Sequence, residues 1–357
     1  MTSDTPLVTA DDDAASGRAA RRITGRILLL LVSLVSLYLL LPSLLEVFTS
    51  WRELFDLRPE WAAAAVVFQV ASFVSVWALQ RIALRTKSWF AVSCSQLAGN
   101  ALGRIVPGGA ATAGALQYSM LVRAGVPGGT IASGLTASSV LGIGLLFALP
   151  IFSLPAIIGG TPVDRGLAQT AYLGAGVFVL MLAAGSVVVA WDRPLQEVGR
   201  FVEWLLNRTI RRRRPVAGVG ARLLAERDGI LAVLGARWHV ALLAATGRWI
   251  FDFAALLACL LAVGADPNPS LVLLAYVAAS FLGLIPITPG GLGLVEAGLT
   301  GTLALAGVSA GAAVVATLAY RLVSFWIPIP AGAAAYGLFR RRYPESRSTA
   351  TAPADPG

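Results

Sequence analysis

Apolar runs long enough to cross a bilayer recur along this chain, and they decide its class before any motif is read. A hydrocarbon core of about 30 Å needs roughly 20 apolar residues of helix. Such runs lie at about 27–48, 61–80, 129–152, 168–190, 238–263 and 311–338. Backbone in hydrocarbon must satisfy its own hydrogen bonds, so each run is read as a helix. With a mean hydropathy of +0.75 and only 13% charged residues, a soluble domain is excluded. The fold class is all-α: a polytopic integral membrane protein with about six full spans plus two broken or re-entrant helical hairpins.

The net charge of +9 is not a nucleic-acid footprint. The basic residues cluster at the ends of apolar runs, as the positive-inside bias requires. Lys87 is the one lysine. The clusters at 81–87, 192–237 and 340–342 are placed in the cytoplasm together with the N-terminus, so both termini face inward from a plasma (inner) membrane. The run at 27–48 is too long for a cleaved leader and lacks a small-residue cleavage site, so it is read as a retained span. Residues 1–25 and 343–357 are polar or Ser/Thr/Pro/Ala-rich and are expected to be disordered flanks of a 26–342 membrane domain. Cys94 and Cys259 lie in apolar segments and are expected to be buried thiols. His239 has no metal-ligating partner nearby, so no metal and no cofactor is expected.

Two segments break this pattern. "IVPGGAATAGALQYS" (105–119) and "ITPGGLGLVEAGLTG" (287–301) put Pro and Gly inside apolar sequence. Given the arginine placement, residues 89–128 must begin and end on the inner side, and 270–308 must begin and end on the outer side. Each is therefore a hairpin, and the two enter from opposite faces. They also align. At an offset of 182 positions, Pro107, Gly108 and Gly109 fall on Pro289, Gly290 and Gly291, and Ala124-Gly125-Val126 falls on Ala306-Gly307-Val308. The chain reads as two inverted repeats, about 26–152 and 168–338, with a basic cytoplasmic insertion at 192–237. Inverted repeats with discontinuous helices are a recurring plan of secondary transporters. Proline removes a donor and disfavours helix before it, and glycine permits unusual dihedrals, so Pro107, Gly108, Gly109, Pro289, Gly290, Gly291 and Gly293 are read as helix breaks. The two breaks are expected to meet in the interior around a wet cavity; a tight loop at the membrane surface is the alternative.

Ionisable residues inside a membrane are costly and point to function. Glu296 follows the second break by one to two turns, where the helix dipole favours an anion. Arg321, mid-way along the last span, is its natural partner. Arg104 precedes the first break and either faces a cavity or keeps its head in water. Arg248 and Asp252 stand four apart on one helix, so they share a face and can pair locally. Asn100, Gln117 and Tyr118 are polar groups of the first hairpin that either line the path or satisfy neighbouring backbone. In the insertion, Val198, Phe201, Trp204 and Leu205 form an apolar stripe ahead of Arg211–Arg214. That pattern suits an amphipathic helix on an anionic leaflet; topology enforcement is the alternative. No phosphate-binding loop, metal cluster or Ser/His/Asp set appears.

The "PGG…AGV" segment after Asn100, "TPGGLGLVEAGL" and "YRLVSFWIPIPAG" resemble the flippase-like transmembrane region of lysylphosphatidylglycerol synthase, the multiple peptide resistance factor, and its stand-alone relatives. The likeness covers roughly residues 25–342 and is most specific at Pro289, Gly290, Gly291, Gly293, Glu296, Tyr320 and Arg321. It implies a domain that moves a lipid, such as an aminoacylated phosphatidylglycerol, between leaflets. It also implies that a separate lipid- or glycan-modifying enzyme is a possible partner. No soluble acyltransferase-like domain follows the last span up to residue 357, so aminoacyl transfer is not expected and the chain is not read as an enzyme. The leading expectation is a lipid translocator acting on anionic phospholipid through Arg321, Arg104 and Arg248. The alternative is a membrane-embedded enzyme or subunit in lipid or lipid-linked glycan modification.

Overall fold

The computed structural model describes residues 57–106, 109–153, 165–209, 217–235, 237–284 and 289–344. The expected span at 27–48, the N-terminal flank, Pro107, Gly108, Arg211–Arg214 and the tail beyond residue 344 lie outside the described residues. Among the described residues there is no strand. The helices are α1 (Pro59–Ala83), α2 (Trp89–Ile105), α3 (Gly109–Arg123), α4 (Gly128–Ala148), α5 (Arg165–Ala190), α6 (Arg193–Thr209), α7 (Val219–Leu234), α8 (Trp238–Ala262), α9 (Pro269–Leu284), α10 (Leu294–Leu305), α11 (Ala310–Arg321) and α12 (Pro328–Arg342). A 3-10 turn, Leu149–Ser153, extends α4, and a π segment, Leu322–Trp326, joins α11 to α12.

Five stretches are long and apolar enough to cross a membrane: Pro59–Ala83, Gly128–Ser153, Tyr172–Ala190, Trp238–Ala262 and Ala310–Arg342. Shorter helices, α2–α3 and α9–α10, occupy the two interrupted regions. The order of long helix, two short helices, long helix thus occurs twice, once from α1 to α4 and once from α8 to α11–α12.

The helix ends follow from local chemistry. Pro59 occupies the first turn of α1, where its missing N–H costs nothing, with Glu60 beside it and Arg81 in the last turn. The repeated Ala-Gly-Val triplets have one structural job. Gly125 (φ 84°) and Gly307 (φ 89°) adopt the left-handed conformation that stops α3 and α10. In each case the next valine N–H reaches back to a leucine carbonyl, Val126 to Leu121 (3.1 Å) and Val308 to Leu303 (3.0 Å). This is the Schellman closure that glycine makes cheap.

Small residues set the packing, as they do between helices that have no hydrophobic drive to associate. α1 and α8 form the most extensive helix pair, joined through Ala65, Ser72 and Leu79 on one side and Ala241 and Ala245 on the other, all buried. Ser72 Oγ donates to the Arg248 carbonyl (3.0 Å). Around this pair, Trp249, Leu256, Leu260, Val272, Leu299 and Leu303 build the main core. The arms of the first hairpin press backbone to backbone: a Cβ at Gly103 would meet the Gly109 carbonyl at 2.7 Å, and one at Gly99 would meet that of Ala113 at 2.8 Å. α12 seats Gly332 against Ala101 and the Leu97 carbonyl of α2.

Candidate functional site

Polar stripes on otherwise apolar helices converge on one space. On α1 the stripe is Gln69, Ser72 and Gln80, and on α2 it is Gln96, Asn100 and Arg104, each four residues from the last. α4 adds Ser138, α8 adds Arg248 and Asp252, and the end of α11 adds Tyr320 and Arg321. Together they line a cavity of about 430 Å³. An adjoining chamber of about 320 Å³ shares Arg104, Arg248, Asp252, Tyr320 and Arg321 and reaches Gly290 and Phe325.

The second break places Glu296. Pro289–Gly291 forms a 3-10 turn, and Gly290 (φ 61°), Gly291 (φ 73°) and Gly293 (φ 77°) all adopt positive φ. α10 begins one residue later, so Glu296 sits in its first turn, where the free N–H groups favour a carboxylate. Its Oε1 accepts from Arg321 Nε at 2.7 Å, and both residues are buried. Its Oε2 is buried with no partner. The Arg321 guanidinium also stacks over the Phe325 ring (4.2 Å to the centroid) and donates to the Gly290 carbonyl at 3.4 Å. The pair therefore fastens the second hairpin to the last span.

Arg104 does the corresponding work for the first hairpin. Pro328 has no N–H to offer the Ser324 carbonyl one turn back, at a π segment, Leu322–Trp326. Arg104 Nη1 fills this gap, donating to Ser324 O and Phe325 O at 2.7 Å each, while its Nε donates to Asn100 Oδ1. Phe325 thus receives Arg104 (4.9 Å to the centroid) as well as Arg321. Gly290 packs against this ring, and a Cβ there would also come within 3.4 Å of the Arg104 carbonyl. The two interrupted segments meet at Phe325.

Arg248 and Asp252 share a face of α8, but they are not an ion pair. No carboxylate lies within 4.0 Å of the Arg248 guanidinium among the described residues. Asp252 is held by three neutral donors instead: Gln69 Nε2 (3.1 Å), Tyr276 OH (2.5 Å) and Tyr320 OH (2.8 Å). It ties α1, α9 and α11 to α8. Arg248 stacks on Trp249 (4.2 Å), whose Nε1 donates to the Gly142 carbonyl (2.9 Å), and so it is held toward the cavity without a partner anion. Among the described residues, three guanidinium groups against two carboxylates give the site an excess of positive charge.

Gln117 and Tyr118 do not line this space. Gln117 is buried and donates to Gln80 Oε1 at 2.7 Å, supporting a cavity residue from behind. Tyr118 is 42% exposed on α3. Gln69, Gln80, Gln96, Ser138 and Tyr276 belong to the site and were not singled out from the sequence. Their signal was available as polar residues recurring at helical spacing within apolar spans, most plainly Gln96-Asn100-Arg104.

In the insertion, α6 carries Val198, Phe201, Trp204 and Leu205 exposed, with Arg208 against the Trp204 ring (5.3 Å). It packs on α7 through Gly199 and Gly220.

Comparison with known proteins finds relatives of this chain. Two UPF0104 membrane proteins of Methanothermobacter thermautotrophicus (strain Delta H) are similar to it. One is 37% identical over 82 residues, 23% of each chain. The other is 33% identical over 91 residues, 26% of this chain and 27% of the relative. The alignments thus span about a quarter of the length of these relatives. The model of the lysylphosphatidylglycerol synthase TM region matches residues 26–332. A chain matched over nearly all of its spans, with the polar cavity inside them, belongs to the family of the lysylphosphatidylglycerol synthase TM region.

Proposed function

We propose that this membrane protein is a lipid translocator, which carries the anionic headgroup of a phospholipid through the arginine-lined cavity between two inverted halves. The observation that carries this reading is Arg248. It is a cation within the spans, faces the cavity, and has no carboxylate within 4.0 Å among the described residues. An unpaired charge at that depth is costly unless it meets a counter-ion. A phosphate supplies one, in a form that suits a planar guanidinium. Asn100, the glutamines and Ser138 would carry the polar remainder of the headgroup. The Arg321–Glu296 pair holds one half closed when the site is empty, and it opens if an incoming phosphate competes for Arg321. Aminoacylated phosphatidylglycerol is a candidate, its ammonium group meeting Glu296 once Arg321 has moved to the phosphate. No bond changes in this cycle. The arginine bias supports cytoplasmic termini, and with them a plasma-membrane location.

The test is leaflet exchange of a fluorescent phosphatidylglycerol in proteoliposomes. Exchange above protein-free vesicles is expected, and Arg248→Ala should lower it about a hundredfold, the scale of a lost charge-assisted contact of ~3 kcal/mol. Equal rates for Arg248→Ala and the unaltered protein would remove the assignment. A lipid product of altered mass would favour an embedded enzyme instead.

A further inference from the structure

The headgroup cavity does not end in polar walls. Gln69 and Phe73 of α1 line it on one side and line a second space on the other. That second space is a groove of about 180 Å³ between α1 and the junction of the π segment with α12. Its remaining walls are apolar, among them Val66, Val70, Trp77 and Ile327. Val70 is 53% and Ile327 48% exposed, so the groove lies open to the surrounding hydrocarbon.

The boundary residue carries the second observation. Gln69 is only 6% exposed. Its Nε2 is committed to Asp252. Its Oε1 is buried and has no partner. A buried acceptor without a donor is unfavourable, so its position at a seam between polar and apolar spaces asks for a ligand that offers a hydrogen there. A polar cavity and an apolar groove that share the walls Gln69 and Phe73 match the two ends of one amphiphile: a phosphate headgroup with its own hydroxyl or ammonium donors, and an acyl chain.

We infer that the α1–α12 groove holds one acyl chain of a phospholipid whose headgroup lies in the arginine cavity, with Gln69 Oε1 accepting from a headgroup hydroxyl or ammonium folded back on the cavity side. This rests on the lipid-translocation reading and adds the place where the lipid enters sideways. The bilayer is then the source of the ligand, and a water-soluble phosphate ester lacks the part that fills the groove.

The experiment uses the full chain in vesicles of phosphatidylglycerol doped with a phosphatidylglycerol that bears a mid-chain diazirine. After illumination, adducts are mapped by mass spectrometry. Adducts on 66–77 and 323–331 are expected to saturate at a low mole fraction of probe and to fall about tenfold in the groove-filling variant Val70→Trp/Ile327→Trp. Adducts on the exposed face of α5, at Leu173 and Leu180, should rise in proportion to probe and stay the same in the variant. Both substituted positions face outward, so the fold should tolerate them. Val70→Ala/Ile327→Ala, which widens the groove, should retain saturable labelling. Labelling of the groove that never saturates, or that survives its filling, overturns the inference. Native mass spectrometry separates the two claims. If the groove-filled variant retains phosphatidylglycerol at the unaltered occupancy, the groove assignment fails and the headgroup cavity stands. If Arg248→Ala retains it equally, the cavity reading fails as well.

Discussion

The two interrupted hairpins share their punctuation and differ in their chemistry. Both break at Pro-Gly-Gly and close on Ala-Gly-Val, and both closures are the same left-handed glycine stop. In the first hairpin the arms are in backbone contact through Gly103 and Gly109, and the charged residue, Arg104, lies before the break. In the second, three positive-φ glycines turn the chain through a 3-10 segment, and the charged residue, Glu296, lies after it. One contributes a cation and the other an anion, and both are anchored on the end of α11 and the π segment. The duplicated residues fix where the backbone turns. The residues that are not duplicated decide what the turn presents to the cavity.

The strongest way to break this contrast is to remove the second hairpin's tether. Arg321→Ala leaves Glu296 buried without its cation, which should cost ~3–5 kcal/mol. The measurement is thermal unfolding in detergent, together with loss of lipid exchange. Replacing both partners, Arg321→Met with Glu296→Leu, should recover most of the stability, because an apolar pair of similar volume needs no counter-charge. It should not recover exchange. If the double variant translocates lipid like the unaltered protein, the pair is a structural clasp and nothing more.

Close packing separates the hairpins next. Gly103→Val drives a branched side chain into the Gly109 backbone, an overpacking worth ~1–3 kcal/mol. Gly301, on α10 of the second hairpin, has nothing within 4 Å of a built Cβ. Gly301→Ala should therefore be neutral or raise stability by up to ~1 kcal/mol, since it removes a helix-interior glycine. The second hairpin's arms also touch, but at Gly298 against the Leu282 side chain, which can give way. Equal losses at Gly103 and Gly301 would therefore contradict the backbone contact assigned to the first hairpin alone.

The first hairpin's own tether gives a smaller effect. Arg104→Lys keeps the charge but cannot serve Asn100 as Nε does while Nη1 reaches the Ser324 and Phe325 carbonyls, at a cost of ~1–2 kcal/mol. Native mass spectrometry should still detect bound phospholipid on this variant, because Arg248 and Arg321 remain.

Much of this was readable before any coordinates. Long apolar runs fixed the helices, and Pro and Gly marked the breaks, because backbone rules act locally. Glu296 and Arg321 stood out because a charge inside hydrocarbon demands a partner, and their meeting followed. The Arg248–Asp252 pairing expected from spacing did not form, since a shared helix face permits a contact without requiring one. Tyr276 and Tyr320, donors from other helices, took the carboxylate instead. The role of Arg104 as a donor to the π segment was equally hidden. The sequence shows that Pro328 frees a carbonyl, but only the tertiary fold brings a guanidinium from α2 to it. Gln69 and Gln96 give little signal alone, because single uncharged polar residues in a span are common. They gain meaning only as stripes that face one another.

The smallest expected effect is also the cleanest comparison of the two halves. Gly125 and Gly307 each have positive φ and nothing within 4 Å of a built Cβ. An alanine there meets no neighbour, so its cost is the left-handed backbone alone, about 1 kcal/mol. Gly125→Ala and Gly307→Ala should lower stability by the same amount, and the double variant by about twice that, because the sites share no partner. Thermal unfolding of the three variants side by side measures it. A loss at one position several times that at the other would mean that the two Ala-Gly-Val closures carry different loads. The duplicated punctuation would then no longer describe a common backbone device, and the hairpins would have to be explained one at a time.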